Sequence, residues 1–349
     1  MSPAPFRFAA IGLDHAHIFG QVKGLLEQGG ELVGLWTGDP SSAVAQTVKQ
    51  TWPQFPWVEN ADDLYDDATI DLVVTAAVPG DRSEITVKAL RTGHHVVTDK
   101  PGAISTEQLD EIERAVQESG KFWSVTFSER FEVPSVTKAG QLVREGRIGT
   151  VVQTLGLGPH REIDRVHLGT GATGRPDWFY DDSRFGGILC DIASHQIDQF
   201  LWFTGNSDGE VVHSAVGNFA HPDTPKMQDF GEILLKAGDA QGYIRVDWFT
   251  PQGLPTWGDG RLIILGTKGY IELRKYVDIA GREGSDHLFV VDDNGTEYLN
   301  CEDVALDYYP DLVRALSHGL DAAEQQQMFT VMRLAITAQQ KAEKRGFAV

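Results

Sequence analysis

Three ionisable side chains in two separate stretches of the sequence could together handle a reacting oxygen and its proton. Lys100 lies in the stretch VVTDKPG at residues 96–102, at the end of a β-branched run. Asp191 and His195 lie in the stretch GGILCDIASHQID at residues 186–198, which has helical periodicity. Because residues four apart share one face of a helix, Asp191 and His195 are predicted to point at one site. An amine, a carboxylate and an imidazole can hold an oxygen atom and exchange a proton with it.

The turn after the first predicted strand reads GLDHAH at residues 12–17. A dinucleotide-binding turn brings backbone N–H groups and a helix N-terminus against a pyrophosphate, so glycine is favoured there. Gly12 fits this pattern, whereas Asp14 and His17 stand where the second and third glycines are expected. The candidate cofactor contacts are therefore Gly12, Asp14, His15, Ala16 and His17. The alternative is an ordinary strand-to-helix turn in which Asp14 caps the helix.

A second interpretation of the same turn is a metal site. Imidazoles two apart on a strand can ligate one ion, and the order Asp14-His15-Ala16-His17 resembles the metal-binding start of amidohydrolase barrels. That fold needs eight βα units and further ligands at later strand ends. The chain changes to antiparallel strands after one doubly wound half, so we predict no metal site.

The end of the second predicted strand indicates the choice of nicotinamide cofactor. Thr37 occupies the position where NAD enzymes usually carry an acid for the ribose diol, and Asp39 follows two residues later. An acid would repel the 2′-phosphate of NADP, and no Lys or Arg appears between Thr37 and Lys49. NAD is therefore favoured over NADP, with Thr37 and Asp39 as candidate contacts. The alternative for Asp39 is a solvated turn residue.

The elements that must position these residues fall into two parts. The first 130 residues alternate β-branched runs with helical patterns, which is typical of a parallel sheet with crossover helices. This α/β pattern predicts a doubly wound Rossmann domain over residues 1–130, with Lys100 at the carboxyl edge of the sheet. Strands are predicted at 6–11, 31–36, 71–76, 94–98 and 122–127, and helices at 18–28, 41–51, 82–92 and 106–119.

The pattern changes after residue 130. Residues 131–349 are predicted to form a second α/β domain with a large, mostly antiparallel open sheet, because strands separated by turn residues fill 211–300. One helix is predicted over 187–203. Helical periodicity returns over 309–344, and these C-terminal helices either stay in the second domain or pack back on the first.

Composition excludes several classes of partner. The chain has 349 residues, 50 acidic and 30 basic, with a formal net charge of -20. Such a charge repels nucleic acid and anionic lipid, so neither is an expected partner. Cys190 and Cys301 are far apart in sequence, which argues against a disulfide framework and favours a reducing compartment. No segment has the length needed to span a bilayer. We expect a cytoplasmic protein without membrane attachment.

The two stretches together resemble the glucose-fructose oxidoreductase, inositol dehydrogenase and rhizopine-catabolism family (Gfo/Idh/MocA). That family has Glu-Lys-Pro after the fourth strand, and this chain has Asp99-Lys100-Pro101. The family pattern Gly-Gly-x-x-x-Asp-x-x-x-His is similar to residues 186–195. The stretches SERF at 128–131 and GRIG at 146–149 also match. The likeness runs through order and spacing over nearly the whole chain.

The resemblance implies an NAD(P)-dependent oxidoreductase that transfers hydride to or from a carbinol carbon of a sugar, an inositol or a sugar derivative. Lys100 would hold the reacting oxygen and stabilise developing alkoxide charge. His195 would exchange the hydroxyl proton, and Asp191 would orient substrate hydroxyls. Asp198 fits the periodicity less well and is expected behind the site or on the helix surface. Taken singly, Lys100 could simply cap a backbone carbonyl. Asp191 and His195 could be an ordinary pair of side chains four residues apart on a helix.

Three departures from the family pattern bear on the cofactor. Asp99 shortens the usual glutamate, and the turn after the first strand lacks two glycines. After the third strand, Arg82 stands where the family often has a histidine in the motif Pro-Asn-x-x-His. Ala77, Asp99 and Lys100 remain expected cofactor contacts.

The substrate side is expected to include His160 and Trp178. Aromatic faces cover the C–H side of a sugar ring, and polar groups bond its hydroxyls. The alternative for Trp178 is a core anchor beneath a solvated loop.

Two other functions stay open at this stage: a redox-neutral, NAD-dependent glycosidase and a non-catalytic cofactor-binding regulator. The resemblance also implies a homodimer or homotetramer assembled through the open sheet.

Overall fold

The computed structural model describes residues 5–162 and 175–346, and the chain divides into two compact units. Among the described residues, the first unit comprises 5–126, 175–186 and 307–329, and the second comprises 127–162, 187–306 and 330–346. Each unit is built on its own sheet.

The sheet of the first unit is parallel, with strand order β2-β1-β3-β4-β5 in the described part of the chain. The connection from β2 to β3 carries the chain from one side of β1 to the other. At such a reversal of strand order, a ligand can bind along the edge formed by the carboxyl ends of β1, β3 and β4. This confirms the predicted doubly wound Rossmann sheet and excludes a barrel. The strands are β1 (Arg7–Leu13), β2 (Glu31–Trp36), β3 (Leu72–Ala76), β4 (His95–Asp99) and β5 (Trp123–Thr126).

The helices of the first unit come from distant parts of the sequence. Gly24 in the first helix lets a C-terminal helix approach closely, since a Cβ at Gly24 would lie 2.4 Å from the ring of Tyr309. The Tyr309 hydroxyl also donates to the carbonyl of Gly20 over 3.2 Å. The helices are α1 (Ile18–Glu27), α2 (Ala43–Thr51), α3 (Asp62–Tyr65), α4 (Arg82–Arg91), α5 (Thr106–Ser119), α8 (Asp182–Phe185) and α11 (Tyr308–His318).

In the second unit, the described strands form a nine-stranded sheet of order β13-β12-β11-β10-β6-β9-β8-β7-β14. Only the pairs β6–β9 and β14–β7 are parallel among these strands, so the predicted, mostly antiparallel open sheet is confirmed. The strands are β6 (Val151–Pro159), β7 (Glu210–Gly217), β8 (Phe230–Ala237), β9 (Ala240–Asp247), β10 (Arg261–Gly266), β11 (Gly269–Arg274), β12 (His287–Asp292), β13 (Gly295–Asn300) and β14 (Glu343–Arg345).

One face of this second sheet is covered by helices. Helix α7 (Pro134–Arg144) contributes Val136 and Ala139 to a buried cluster with Ile264 and Ile271 of the sheet. The opposite face leaves large apolar side chains such as Leu265 and Tyr270 exposed. The helices of this unit are α6 (Ser128–Phe131), α7 (Pro134–Arg144), α9 (Ile188–Asp191) and α10 (Ala193–Thr204), and α12 (Ala322–Lys341) begins in the first unit and ends in the second.

The single helix predicted over 187–203 is wrong in one respect, because the structure has two helices there, α9 and α10, separated at Ile192. The Ser194 hydroxyl donates to the carbonyl of Asp191 over 3.2 Å. The His195 N–H bonds to the carbonyl of Ile192 instead, three residues back, over 3.1 Å. A serine hydroxyl that competes for a helix carbonyl is a common cause of such an irregularity. No helix in the described ranges is long and apolar enough to cross a membrane.

Candidate active site

The turn between β1 and α1 is closed by backbone hydrogen bonds to β3. The N–H groups of Asp14 and His15 both donate to the carbonyl of Ala76, over 3.1 and 2.9 Å. Gly12 has a φ of +82°, and a Cβ there would lie 2.5 Å from the Cβ of Ala77. Glycine is therefore required for this close approach. Two amides that would face a pyrophosphate in a glycine-rich turn are already bonded within the protein.

The carboxyl group of Asp14 lies in this turn and is partly buried. Burial raises the pKa of Asp14 to about 6, with smaller increases from Asp81 and Asp39, although a hydrogen bond from the Val78 backbone and the charge of Arg82 lower it. Part of the Asp14 population is therefore neutral near physiological pH, which reduces its repulsion of an anionic ligand. His15, Ala16 and His17, which follow it, are partly exposed.

At the end of β2, the structure separates the two candidate ribose contacts. Thr37 is buried, and its hydroxyl accepts a hydrogen bond from the Leu13 N–H over 3.3 Å. Asp39 is exposed, and its Oδ1 accepts hydrogen bonds from the backbone N–H and the hydroxyl of Ser41. Those hydrogen bonds lower the pKa of Asp39, so it carries a full negative charge at neutral pH. Lys49 lies 4.6 Å above the ring of Trp57.

Arg82, which stands where the family often has a histidine, fixes the end of β4. Its guanidinium is 1% exposed and donates to the carbonyls of Ala77, Asp99 and Pro101 over 2.7, 3.0 and 3.0 Å. It also donates to Asp99 Oδ2 over 2.9 Å. Sequence reasoning noted the substitution but did not predict this role. The available signal was a long cationic side chain at the start of the helix that follows a buried strand.

Asp99 is the centre of a charged group that includes both turn histidines. His17 Nδ1 lies 2.8 Å from Asp99 Oδ1, and His15 Nδ1 lies 3.3 Å from Asp99 Oδ2. Burial raises the pKa of Asp99, but His17 and Arg82 outweigh this effect and hold the pKa well below its usual value. Burial and the nearby His17 lower the pKa of His15 to about 3. Asp99 is therefore a carboxylate, and His15 is neutral, at physiological pH.

Lys100 directly follows β4, and its peptide bond to Pro101 is cis. The side chain is buried, with 5% exposure. The Pro101 carbonyl accepts a hydrogen bond from Arg82, and a Cβ at Gly102 would lie 2.4 Å from the ring of Trp123. The backbone around Lys100 is thus fixed by packing and hydrogen bonds at the carboxyl edge of the first sheet.

In the second unit, Asp191 ends α9 and His195 lies in the first turn of α10. Both side chains are buried, with 7% and 2% exposure. The ring of His195 meets the ring of Phe127 edge-on, with centroids 6.3 Å apart. Ile192, which separates the two helices, keeps right-handed helical dihedral angles (φ -89°, ψ -48°), so Asp191 and His195 remain about one helical turn apart although the hydrogen bonding is interrupted.

A buried network of charged and amide side chains supports α10. Lys275 Nζ donates to Glu129 Oε2 over 2.5 Å, and the Gln196 amide donates to the same oxygen over 2.9 Å. Arg130 Nε donates to Asp198 Oδ2 over 2.5 Å. Asp198 is fully buried, so of the two expected positions, behind the site or on the helix surface, the surface position was wrong. The sequence showed the SERF motif at 128–131. It gave no sign that Lys275, the residue after β11, is the buried partner of Glu129 in that motif.

The two candidate substrate residues lie in different units. His160 belongs to the second unit and packs against the rings of Trp248 and Trp257, with centroids 5.4 and 4.5 Å away. Trp178 belongs to the first unit, where its ring centroid is 6.3 Å from that of His15. It is also buried next to Phe179 and Phe185.

Comparison with known proteins gives two adjacent family matches. The profile described as "Oxidoreductase family, NAD-binding Rossmann fold" matches residues 6–127, and the profile described as "GFO/IDH/MocA C-terminal domain" matches residues 136–272. A crystal structure of a protein described as an oxidoreductase from Erwinia carotovora atroseptica is 43% identical, with a TM-score of 0.91. That match covers 97% of this chain and 99% of the other.

Curated relatives are more distant. The uncharacterized oxidoreductase C115.03 of Schizosaccharomyces pombe is 30% identical over 45% of this chain and 40% of its own length. The scyllo-inositol 2-dehydrogenase (NAD(+)) of Bacillus subtilis is 24% identical over 79% of this chain and 77% of its own length. The chain spans less than half the length of the first curated relatives that it matches.

Proposed function

This chain belongs to the GFO/IDH/MocA family of oxidoreductases, and on that basis we propose that it is an NAD(P)-dependent dehydrogenase or reductase acting on CH–OH groups. It transfers hydride between nicotinamide and a carbinol carbon of a sugar, an inositol or a sugar derivative. The observation that carries the proposal is Lys100, a buried lysine at the carboxyl edge of a Rossmann sheet, whose flanking backbone is fixed by Arg82.

The residues of the first unit fit a nicotinamide dinucleotide in part. The carboxyl edge of the sheet, the start of α1 and the exposed carboxylate of Asp39 suit the cofactor. The turn does not offer a glycine cradle, because the amides of Asp14 and His15 bond to Ala76. The residues that would hold the cofactor are Gly12, Asp14, His15, Ala16, His17, Thr37, Asp39, Ala77, Asp99 and Lys100.

NAD is the preferred cofactor in this proposal. The negative charge of Asp39 opposes the 2′-phosphate of NADP, and its Oδ2 oxygen can accept a hydrogen bond from a ribose hydroxyl. Lys49, the first cation after β2, is engaged with Trp57. When bound, the nicotinamide supplies or accepts the hydride.

The protein residues supply position, charge and a proton path. Lys100 holds the substrate oxygen and stabilises the alkoxide charge that develops on it as the hydroxyl proton leaves during oxidation, or as hydride adds to the carbonyl carbon during reduction. His195 takes the hydroxyl proton during oxidation and returns it during reduction. Asp191 orients neighbouring hydroxyls of the substrate.

A sugar or polyol is the proposed substrate class. The relative from Bacillus subtilis is named a scyllo-inositol 2-dehydrogenase. His160 and Trp178 are the proposed ring contacts, since an aromatic face covers the C–H side of a sugar and an imidazole bonds its hydroxyls.

We also propose a homodimer or homotetramer formed through the open face of the second sheet. Leu265 and Tyr270 are paired across β10 and β11, and both are exposed on this face, as is Tyr298 of β13. Light scattering tests the proposal: an oligomer is expected, and a clean monomer at micromolar concentration contradicts it. The two buried, unpaired cysteines support a reducing, cytoplasmic location.

The proposed activity is tested by absorbance of reduced nicotinamide with NAD or NADP and a panel of sugars, inositols and anhydrosugars. We expect a rate with a restricted set of polyols. His195→Ala should lower the rate by about 10²–10⁴-fold, and Lys100→Ala by about 10²–10³-fold. Lys23→Ala, an exposed lysine of α1, is the control and should keep the rate.

Cofactor binding without any reduced nicotinamide would contradict the dehydrogenase assignment. A glycoside-cleavage screen would then distinguish a redox-neutral glycosidase from a regulator. Normal turnover in Lys100→Ala or His195→Ala would overturn the assigned roles.

A further inference from the structure

We propose that His15, His17 and Asp99 form a binding site for one divalent transition-metal ion. All three belong to the first unit. His15 and His17 lie between β1 and α1, and Asp99 ends β4, so the side chains meet at the carboxyl edge of the sheet. The sequence led us to expect no metal, because the Asp-His-x-His order was weighed only as the start of an amidohydrolase barrel.

The distances between the candidate ligand atoms suit a shared ion. Two ligands at about 2.1 Å from one ion lie about 3.0 Å apart at a right angle and about 3.4 Å apart at a tetrahedral angle. Asp99 Oδ1 is 2.8 Å from His17 Nδ1, and Asp99 Oδ2 is 3.3 Å from His15 Nδ1. All candidate ligand atoms lie within 4.8 Å of one another. The two carboxylate–imidazole separations therefore match the spacing of ligands around one ion.

The hydrogen bonding of His15 is a second, independent observation. The His17 backbone N–H donates to His15 Nδ1 over 3.3 Å, so this nitrogen acts as an acceptor. Asp99 Oδ2, which is also an acceptor, lies 3.3 Å from the same nitrogen. A ring nitrogen carries either a proton or a lone pair, so His15 Nδ1 cannot accept a hydrogen bond from the amide and also donate one to Asp99. The nitrogen and the carboxylate oxygen both present lone pairs to the space between them. A cation there would be bound by both atoms.

Arg82 holds the carboxylate in place from behind. Its Nη2 donates to Asp99 Oδ2, and its Nη1 donates to the carbonyl of the same residue. Ligating carboxylates are themselves usually hydrogen-bonded in this way. The two imidazole side chains are 16% and 29% exposed, whereas Asp99 is 1% exposed. The site is thus anchored on the buried side and open to an ion from solvent.

The ligand chemistry indicates the class of ion. Two imidazoles and one carboxylate suit zinc, cobalt or iron better than magnesium or calcium, which prefer oxygen ligands. Three protein ligands leave further positions open. The net charge of -20 also raises the local concentration of cations around the protein.

The site is tested by titrating untagged, chelator-stripped protein with Co²⁺ and recording the visible d–d absorption. Wild-type protein should bind one equivalent, with affinity in the micromolar range or tighter, and Zn²⁺ should displace it. His15, His17 and Asp99 are also proposed cofactor contacts, so an ion and the cofactor would share this edge of the sheet. The measurement contains no nicotinamide, so its outcome does not depend on the proposed activity. Absence of saturable Co²⁺ absorption in the wild type would overturn the proposal.

Variants identify the ligands. His15→Gln and His17→Gln should each weaken Co²⁺ binding by more than about 100-fold, because loss of even an outer partner of a ligand costs about 10–100-fold. His318→Gln, which changes an exposed histidine at the end of α11, should leave the affinity unchanged. Circular dichroism and thermal melting verify the fold of each variant. Wild-type affinity in both His15→Gln and His17→Gln would also overturn the site.

Discussion

Removal of the buried Lys275 amine should strongly destabilise the second unit. Lys275 is fully buried and donates to Glu129 and to the Gln199 side chain, over 2.5 and 3.0 Å. In Lys275→Met, the Glu129 carboxylate keeps the hydrogen bond from Gln196 but loses its cation. Breaking a buried ion pair by removing one partner costs about 3–5 kcal/mol, because an uncompensated charge stays in the interior. We expect a loss of that size.

A second variant separates the charge from the packing. In Glu129→Gln/Lys275→Met no charge remains, and the amide oxygen at position 129 can still accept from Gln196. The remaining cost is the unpaired Gln199 oxygen, about 1–3 kcal/mol. The double variant should therefore recover about 2 kcal/mol relative to Lys275→Met. A double variant as unstable as the single one would refute the argument from buried charge.

Hydrogen exchange of the α10 amides measures this free energy in the second unit alone, without assuming that both units unfold together. Lys236→Met removes an exposed lysine of β8 and is the matched control. It should change the free energy of opening by less than about 0.5 kcal/mol. The prediction would also be contradicted if the α10 amides were as well protected from hydrogen exchange in Lys275→Met as in the Lys236→Met control.

Three further outcomes follow from individual side chains. Burial lowers the pKa of His221, but the hydrogen bond to Asp229 and the charge of Glu162 hold it above 6.5. His221→Gln should therefore lower the free energy of unfolding at pH values below 6.5, and this loss should fade as the pH rises through the folded-state pKa. A difference in melting temperature between wild type and variant that does not depend on pH would contradict this. Burial raises the pKa of Cys301 to about 11 and that of Cys190 further, so neither thiol should react with a disulfide reagent at neutral pH until the protein is denatured. Fast labelling of the native protein would refute that prediction. Asp39→Ser should improve binding of NADP relative to NAD, as measured by calorimetry, because it removes a carboxylate that repels the 2′-phosphate; an unchanged ratio would show that Asp39 does not face the ribose.

Periodicity alone predicted most of the first sheet. The strand predicted at 31–36 has the observed bounds of β2, and the others shift by only a few residues at their ends. These runs are β-branched and apolar because both faces of a parallel sheet are covered. The split of the predicted helix at Ile192 could not be foreseen, because it depends on one Ser194 hydroxyl that competes for a carbonyl.

The candidate site was predictable only in its local parts. Lys100 could be placed at the sheet edge because it directly follows a strand. The carbonyls held by Arg82 come from Ala77, Asp99 and Pro101, and such a set depends on how distant segments meet in space. The packing of Trp248 and Trp257 around His160 likewise joins residues about 90 apart in sequence, which no local pattern encodes.

Hydride transfer is tested most directly with a polyol that carries deuterium on the carbinol carbon. The protein is incubated with the labelled polyol and NAD, and the reduced cofactor is analysed by mass spectrometry. The proposed function predicts that one deuterium appears on the nicotinamide ring, and that Lys100→Ala and His195→Ala strongly reduce its rate of appearance. Polyol oxidation that leaves the nicotinamide without deuterium, or no transfer from any member of the polyol panel, would contradict the account.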